Sequence, residues 1–208
     1  MVRPVFNENI RLAAIDVDGT LVGLNLEVSG ANTAALQRLR NRGVELVLAS
    51  GRHYETLRPF AERVPGVQWL VAAQGGDVTR VDRSLVLHQD FLEPEAGREV
   101  MALGRSWGFH VALYTDAGIL VDEDAAVMGF YTRLAGRRPR GLAKDWTTQR
   151  LLKIVWIGTP EAIAALEHRD ELARLPMEKV RTHQQLFEFS PLRVNKASGL
   201  AVLTQHLG

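Results

Sequence analysis

Leu12-Ala13-Ala14-Ile15-Asp16-Val17-Asp18-Gly19-Thr20 is the stretch on which the reading of this chain turns. Four apolar residues in a row, with no polar alternation, predict a short strand buried on both faces of a parallel sheet. Asp18-Gly19 ends it, because Gly19 permits the tight turn that follows. The string therefore places two carboxylates, two residues apart, at the C-terminal end of a strand, where open α/β sheets bind their ligands. One of the two can attack phosphorus and the other can carry a proton. Together they concentrate negative charge, which a phosphate dianion approaches only if a cation intervenes. The pair thus implies Mg²⁺, a hard ion that prefers oxygen ligands.

Outward from that strand the pattern continues as α/β. Ala31, Ala35, Leu36 and Leu39 fall on one stripe and predict a helix over 31–42, with Ser29 as its N-cap and Gly43 as its stop. Val44 to Ala49 is a second apolar run, so the segment is a βαβ unit with a right-handed crossover. A helix over 54–63 and a strand from Trp69 to Ala73 follow, broken by Gln74-Gly75-Gly76. Val78–Val81 and Leu85–Gln89 read as a hairpin around Asp82-Arg83-Ser84.

Beyond the hairpin the character changes. A helix is expected from Pro94 to Trp107, then strands at His110–Tyr114, Ile119–Val121 and Leu151–Ile157. Thr159-Pro160-Glu161 starts another helix, and Val180–Thr182 and Leu186–Phe189 are short strands. Residues 122–150 show no single period and read as some helix with an Arg/Gly/Pro loop. A tail helix, Ala197–Leu207, carries Leu200, Leu203 and Leu207 on one face. The fold class expected is α/β: a Rossmann-like parallel-sheet core, 1–83 and 190–208, with an inserted α+β domain over 84–189.

The composition narrows the function. Hydrophobic residues at 46% and charged residues at 24% of the 208 are ordinary globular composition and argue against disorder. A net charge of +1 argues against a nucleic-acid partner, and Arg137-Arg138-Pro139-Arg140 reads as a solvated loop. With no cysteine, disulfides, thiolate metal sites and cysteine nucleophiles are excluded; the lack fits a cytoplasmic protein. No apolar run approaches the ~18 residues of a membrane span, and the N-terminus shows no leader signature. The six histidines have no metal-ligand spacing and read as surface or packing residues.

The string from Asp16 to Thr20 resembles the first motif of the haloacid-dehalogenase-like hydrolases. Leu48-Ala49-Ser50-Gly51-Arg52, at the end of the second strand, resembles their second motif. The Asp16-to-Ser50 spacing, the 84–189 insertion and Lys196 before the last helix make the chain similar to the Cof-type phosphatase branch, whose cap domain is inserted between the second and third motifs. The resemblance implies a Mg²⁺-dependent phosphomonoester hydrolase of small phosphorylated metabolites, sugar phosphates or nucleotides, acting through an aspartyl-phosphate. It implies that Asp16 is the nucleophile and that Asp18 protonates the leaving group and then deprotonates water. Asp16 and the backbone carbonyl of Asp18 would hold Mg²⁺, Ser50 would bond the phosphoryl oxygens, and Lys196 would neutralise them. Thr20, Gly51 and Arg52 complete the substrate-binding set. Arg52 either meets substrate or caps a carbonyl. Lys153, a rival cation, lies inside a strand of the insertion and reads as structural.

One departure from the family pattern stands out. Its fourth motif, a Gly-Asp pair with a further Asp, completes the metal site, and no such motif follows Lys196. Gly76-Asp77 with Asp82 imitates the spacing but precedes the insertion. The expectation is a core shortened at its C-terminal side, Mg²⁺ held weakly, and Leu12–Ile15 left at a sheet edge that a second copy could cover. Gln74 stands where relatives often carry Asn, a mild change. The alternative reading is a truncated or degenerate relative that binds a phosphorylated ligand or a protein partner without turnover. A phosphoryl-transferring mutase is the third.

Overall fold

A computed structural model describes residues 10–23, 25–142 and 146–208; the N-terminal stretch read as leaderless lies mostly outside them. The first sheet is built from β1 (Leu12–Ile15), β2 (Glu45–Ala49), β3 (Val67–Ala72), β4 (Asp77–Arg80) and β5 (Val86–Gln89), in that spatial order. β1, β2 and β3 are parallel, and β4 and β5 add on antiparallel. α1 (Gly30–Asn41) joins β1 to β2, and α2 (Tyr54–Arg63) joins β2 to β3. Ser29 caps α1, its hydroxyl accepting from the Asn32 amide at 3.1 Å, and Gly43 reverses the chain at φ +77°.

Side chains alternate across a strand, so β2 feeds two cores. Leu46 and Leu48 pack with Leu36, Leu57, Phe60 and Leu70 beneath α1 and α2. Val47 and Ala49 pack with Trp69, Val71 and Val78 on the other face. That second face is closed by α7 (Lys196–Leu207) through Leu203 and Leu200, while Leu207 is exposed.

The apolar run Leu12–Ile15 forms its strand but is not buried on both faces. Ala14 is exposed, and Leu12, Ala13 and Ile15 are only partly covered. Among the described strands β1 has one neighbour, β2, so one edge of its backbone is unpaired.

The second sheet has the order β10-β11-β9-β6-β7-β8. In chain order its unit runs α3 (Pro94–Ser106), β6 (His110–Thr115), β7 (Gly118–Val121), α4 (Ala125–Ala135), β8 (Arg140–Gly141), β9 (Leu151–Ile157), α5 (Pro160–Ala165), α6 (Asp170–Ala173), β10 (Glu178–His183) and β11 (Leu186–Ser190). All pairings are antiparallel except β7 with β8. α3 covers one face through Val100 and Met101 against Val111, Leu113, Trp156 and Phe189. α4 covers the other through Met128 and Tyr131 against Ala112, Val121 and Val155. The segment without a clear period is thus mostly α4, capped by Asp124 and stopped by Gly136 at φ +75°.

β5 hydrogen-bonds to β4, so the first sheet runs to Gln89, past position 84 at which the insertion was expected to begin. The physical reason is local: Asp82-Arg83-Ser84 is the turn of that hairpin, with Arg83 at φ +62° and the Asp82 carboxylate accepting from the Ser84 amide at 3.0 Å.

Candidate active site

The parallel register aligns Ile15 with Leu48, so Asp16 and Ser50 emerge at neighbouring strand ends. Gly19, at φ +76°, turns the chain back, and its amide bonds to the Val22 carbonyl at 3.0 Å. Thr20 lies just beyond and is exposed. A depression of about 440 Å³ opens on the Thr20 side, lined by residues from Gly19 to Asn32 and not by Asp16, Ser50 or Lys196.

Lys196 comes to the same place from the far end of the chain. Asn195 and Ser198 form a reciprocal capping box that starts α7 at Lys196. The Lys196 ammonium donates to Asp16 Oδ1, a contact spanning 180 residues of sequence. Both side chains are about one-third exposed, 37% and 36%. Such a pair adds only about 0–1 kcal/mol to stability, so its interest is placement. Asp16 is neither swallowed by apolar neighbours nor remote from residue 196.

Arg52 takes hold of the other carboxylate. Its Nε donates to Asp18 Oδ2 at 2.8 Å and its NH2 to Asp18 Oδ1 at 2.6 Å, a two-pronged grip. The guanidinium lies over the Phe60 ring, and NH1 donates to the Leu134 carbonyl at 3.3 Å. It therefore does cap a carbonyl, and in addition fixes Asp18, a role that spacing alone did not disclose.

Ser50 is buried, and its hydroxyl accepts from the Arg52 amide at 3.2 Å. The turn 73–75 braces it: Gln74 N donates to the Ser50 carbonyl at 3.1 Å and Ala73 N to the Arg52 carbonyl at 2.8 Å. A Cβ on Gly51 would stand 2.7 Å from Gln74 Nε2, so a side chain there would push the Gln74 amide aside. Ala73 and Gln74 sit at φ +48° and +61°, a strained pair for residues with side chains. Gly75, at φ +110°, packs its α-carbon against the Asn195 carbonyl. One turn thus touches both the Ser50 segment and the residue that caps Lys196. Sequence reasoning gave Gln74 a loop contact only; the paired glycines 75 and 76 were the available signal.

Three consecutive residues here reach across to the second sheet's unit. The Gly51 carbonyl accepts from the Lys153 ammonium of β9 at 2.8 Å. Arg52 donates to Leu134 of α4. His53 Nδ1 accepts from the Glu55 amide at 3.1 Å, so Nε2 carries the proton and donates to the Thr115 carbonyl of β6 at 2.9 Å. His53 is 1% exposed, and burial lowers its pKa from the usual value near 6.5. The unfolded chain then binds a proton that folded His53 refuses. Stability is full above about pH 6.5 and falls as pH drops below it, by up to about 1.4 kcal/mol per pH unit. Thermal unfolding between pH 5 and pH 7.5 should show this slope in the native protein and a shallower one in His53→Gln.

The donor set for a cation is small. Among the described residues no three His, Asp or Glu side chains gather. Asp16 keeps one carboxylate oxygen outside the Lys196 contact, and the Asp18 carboxylate is held by Arg52. A carboxylate oxygen and a backbone carbonyl are hard donors of the kind Mg²⁺ takes while retaining several waters.

Comparison with known proteins places these features in context. A sequence profile described as haloacid dehalogenase-like hydrolase matches residues 13–208. An HMP-PP phosphatase of Cronobacter sakazakii is 26% identical over 202 residues, which are 95% of this chain and 73% of that protein. Among solved structures, a HAD/COF-like hydrolase from Plasmodium vivax superposes with a TM-score of 0.82 at 18% identity, over 96% of this chain and 74% of that one. A HAD subclass IIB sugar phosphatase superposes with a TM-score of 0.80 at 15% identity, over 95% and 76%. Among the described residues no helix is long and apolar enough to cross a membrane.

Proposed function

This chain belongs to the haloacid dehalogenase-like hydrolase family, and we propose that it is a phosphatase of small phosphorylated metabolites acting through an aspartyl-phosphate on Asp16. The observation that carries the reading is the Lys196 ammonium on the Asp16 carboxylate at the end of β1. The named phosphatases among its relatives support the substrate class. We extend the reading to two units that follow the two sheets: a core holding the first sheet and α7, and an inserted cap holding the second.

In this reading an Asp16 oxygen attacks phosphorus in line and the bond to the leaving oxygen breaks. Lys196 shifts from Asp16 to the equatorial phosphoryl oxygens, where the Ser50 hydroxyl also donates. Asp18, carrying a proton taken up on an oxygen that one prong of the Arg52 grip has released, gives it to the leaving alkoxide. It then takes one from a water whose oxygen bonds phosphorus as the Asp16–phosphorus bond breaks. Arg52 holds Asp18 over the site between these transfers. Asp16 and the Asp18 carbonyl would hold Mg²⁺, which supplies charge neutralisation of the phosphoryl group.

Arg52→Lys should lower kcat by roughly tenfold or more, because an ammonium is a point charge without the planar fork that orients Asp18. Steady-state kinetics would check this; an unchanged kcat would show that Asp18 needs no such grip. The reading as a whole is tested with p-nitrophenyl phosphate and Mg²⁺. Hydrolysis that disappears in Asp16→Asn supports it. A flat signal from folded protein favours the second reading, a phosphate-ligand binder without turnover, for which the small donor set speaks.

A further inference from the structure

We infer that Lys153 is a positioning residue: by holding the Gly51 carbonyl it sets the Ser50–Gly51–Arg52 segment, so that the arrangement around Asp18 depends on where the second sheet lies. In its kinetic consequence the inference rests on the phosphatase reading; in its structural consequence it does not.

Lys153 is 1% exposed in the middle of β9, a strand whose other residues are all buried and apolar. An ammonium has three donors, and two of them have hydrogen-bond partners here. One meets Glu188 of β11 at 2.9 Å, one meets the Gly51 carbonyl at 2.8 Å, and the charge lies 4.2 Å from the Tyr114 ring centroid. Glu188 is itself 7% exposed. Stability does not account for such a pair, because well-packed apolar side chains in place of a buried ion pair are often neutral or better. What an apolar side chain at 153 lacks is the bond to Gly51.

Gly51 is a sensitive place to hold. It carries no side chain of its own, and its peptide is gripped by Lys153 on one side and faced by Gln74 on the other. The next residue depends on its orientation in three ways: the Arg52 amide bonds the Ser50 hydroxyl, its carbonyl accepts from Ala73, and its guanidinium holds Asp18. Rotating the 51–52 peptide loosens all three. A misplacement of about 1 Å at a phosphoryl-transfer site can cost up to about 10²-fold in rate.

The test replaces the ion pair as a unit. Lys153→Met combined with Glu188→Leu removes both charges at similar volume, so the melting temperature should stay close to that of the native protein. Amide exchange should nevertheless quicken by roughly tenfold or more at Arg52 and Ala73, whose protons lie in the affected bonds. With p-nitrophenyl phosphate, kcat should fall roughly tenfold or more while KM moves far less. Lys153→Arg, which keeps a donor for the Gly51 carbonyl, should recover part of both. A double variant with native melting temperature and native exchange at Arg52 and Ala73 would overturn the inference and leave Lys153 a packing element. If the native protein turns over no phosphate ester, the phosphatase reading fails while the exchange data still decide this one. Should the double variant not fold, Lys153→Gln combined with Glu188→Gln, which also removes both charges and shortens the stem at 153, takes its place with the same expectations.

Discussion

Asp16→Asn is expected to remove phosphatase activity by roughly 10⁴-fold or more, the scale seen when a covalent nucleophile is deleted. Asn is nearly isosteric, keeps a polar oxygen that the Lys196 ammonium can still meet, and leaves β1 otherwise intact. The loss should therefore come without a comparable loss of fold. The Asp16–Lys196 pair is one-third exposed, so its removal costs about 0–1 kcal/mol. Melting temperature measured beside kcat separates the two effects. Substantial residual turnover would move the chemistry away from Asp16.

The largest structural effect is expected at Gly75. A side chain there meets two obstacles at once. The backbone is at φ +110°, which only glycine adopts freely, and the new Cβ would overlap the Asn195 carbonyl. Strain and overpacking together put Gly75→Val at about 2–5 kcal/mol of lost stability. The displacement has a direction. Gly199 of α7 packs against Gly75 Cα, and Asn195 is the cap residue directly before Lys196, so relief comes by moving the start of α7 off the turn. That withdraws Lys196 from Asp16. Chemical denaturation should show the loss, and activity measured below the unfolding midpoint should fall further than the unfolded fraction explains. A stable, fully active Gly75→Val would mean that the turn 73–75 does not link Ser50 to Lys196.

Much of the fold was legible because its signals are short-range. The run Leu12–Ile15, the cap at Ser29, the stripe from Ala31 to Leu39 and the stop at Gly43 each declare an element from a few residues. Asp16 and Asp18 were legible for the same reason, being two residues apart at one strand end. Less legible was whatever depends on elements far apart in sequence. The apolarity of Leu12–Ile15 suggested burial on both faces, yet its place at the sheet edge leaves Ala14 exposed. Residues 122–150 gave no period because α4, AAVMGFYTRLA, is apolar around most of its circumference rather than along one stripe, and is followed by a two-residue strand.

The site shows the same division. Lys196 was picked out by its place before the tail helix and does meet Asp16. The grip of Arg52 on Asp18, the bond from Lys153 to Gly51 and the burial of His53 against Thr115 join residues 34, 102 and 62 positions apart. No local pattern encodes such contacts. A lysine amid the apolar residues of β9 was a visible irregularity, and it marked one of the contacts between the second sheet and the Ser50–His53 segment.

The central claim is that phosphorus bonds covalently to Asp16. It is tested most directly by mixing the protein with Mg²⁺ and a rapidly hydrolysed phosphate ester, quenching in acid within the first turnovers, and mapping the digest by mass spectrometry. The account predicts one added phosphoryl group on the peptide containing Asp16, absent from Asp16→Asn and lost on standing in mild base. Steady hydrolysis with no phosphoryl group on that peptide, or with the group on another residue, would contradict it.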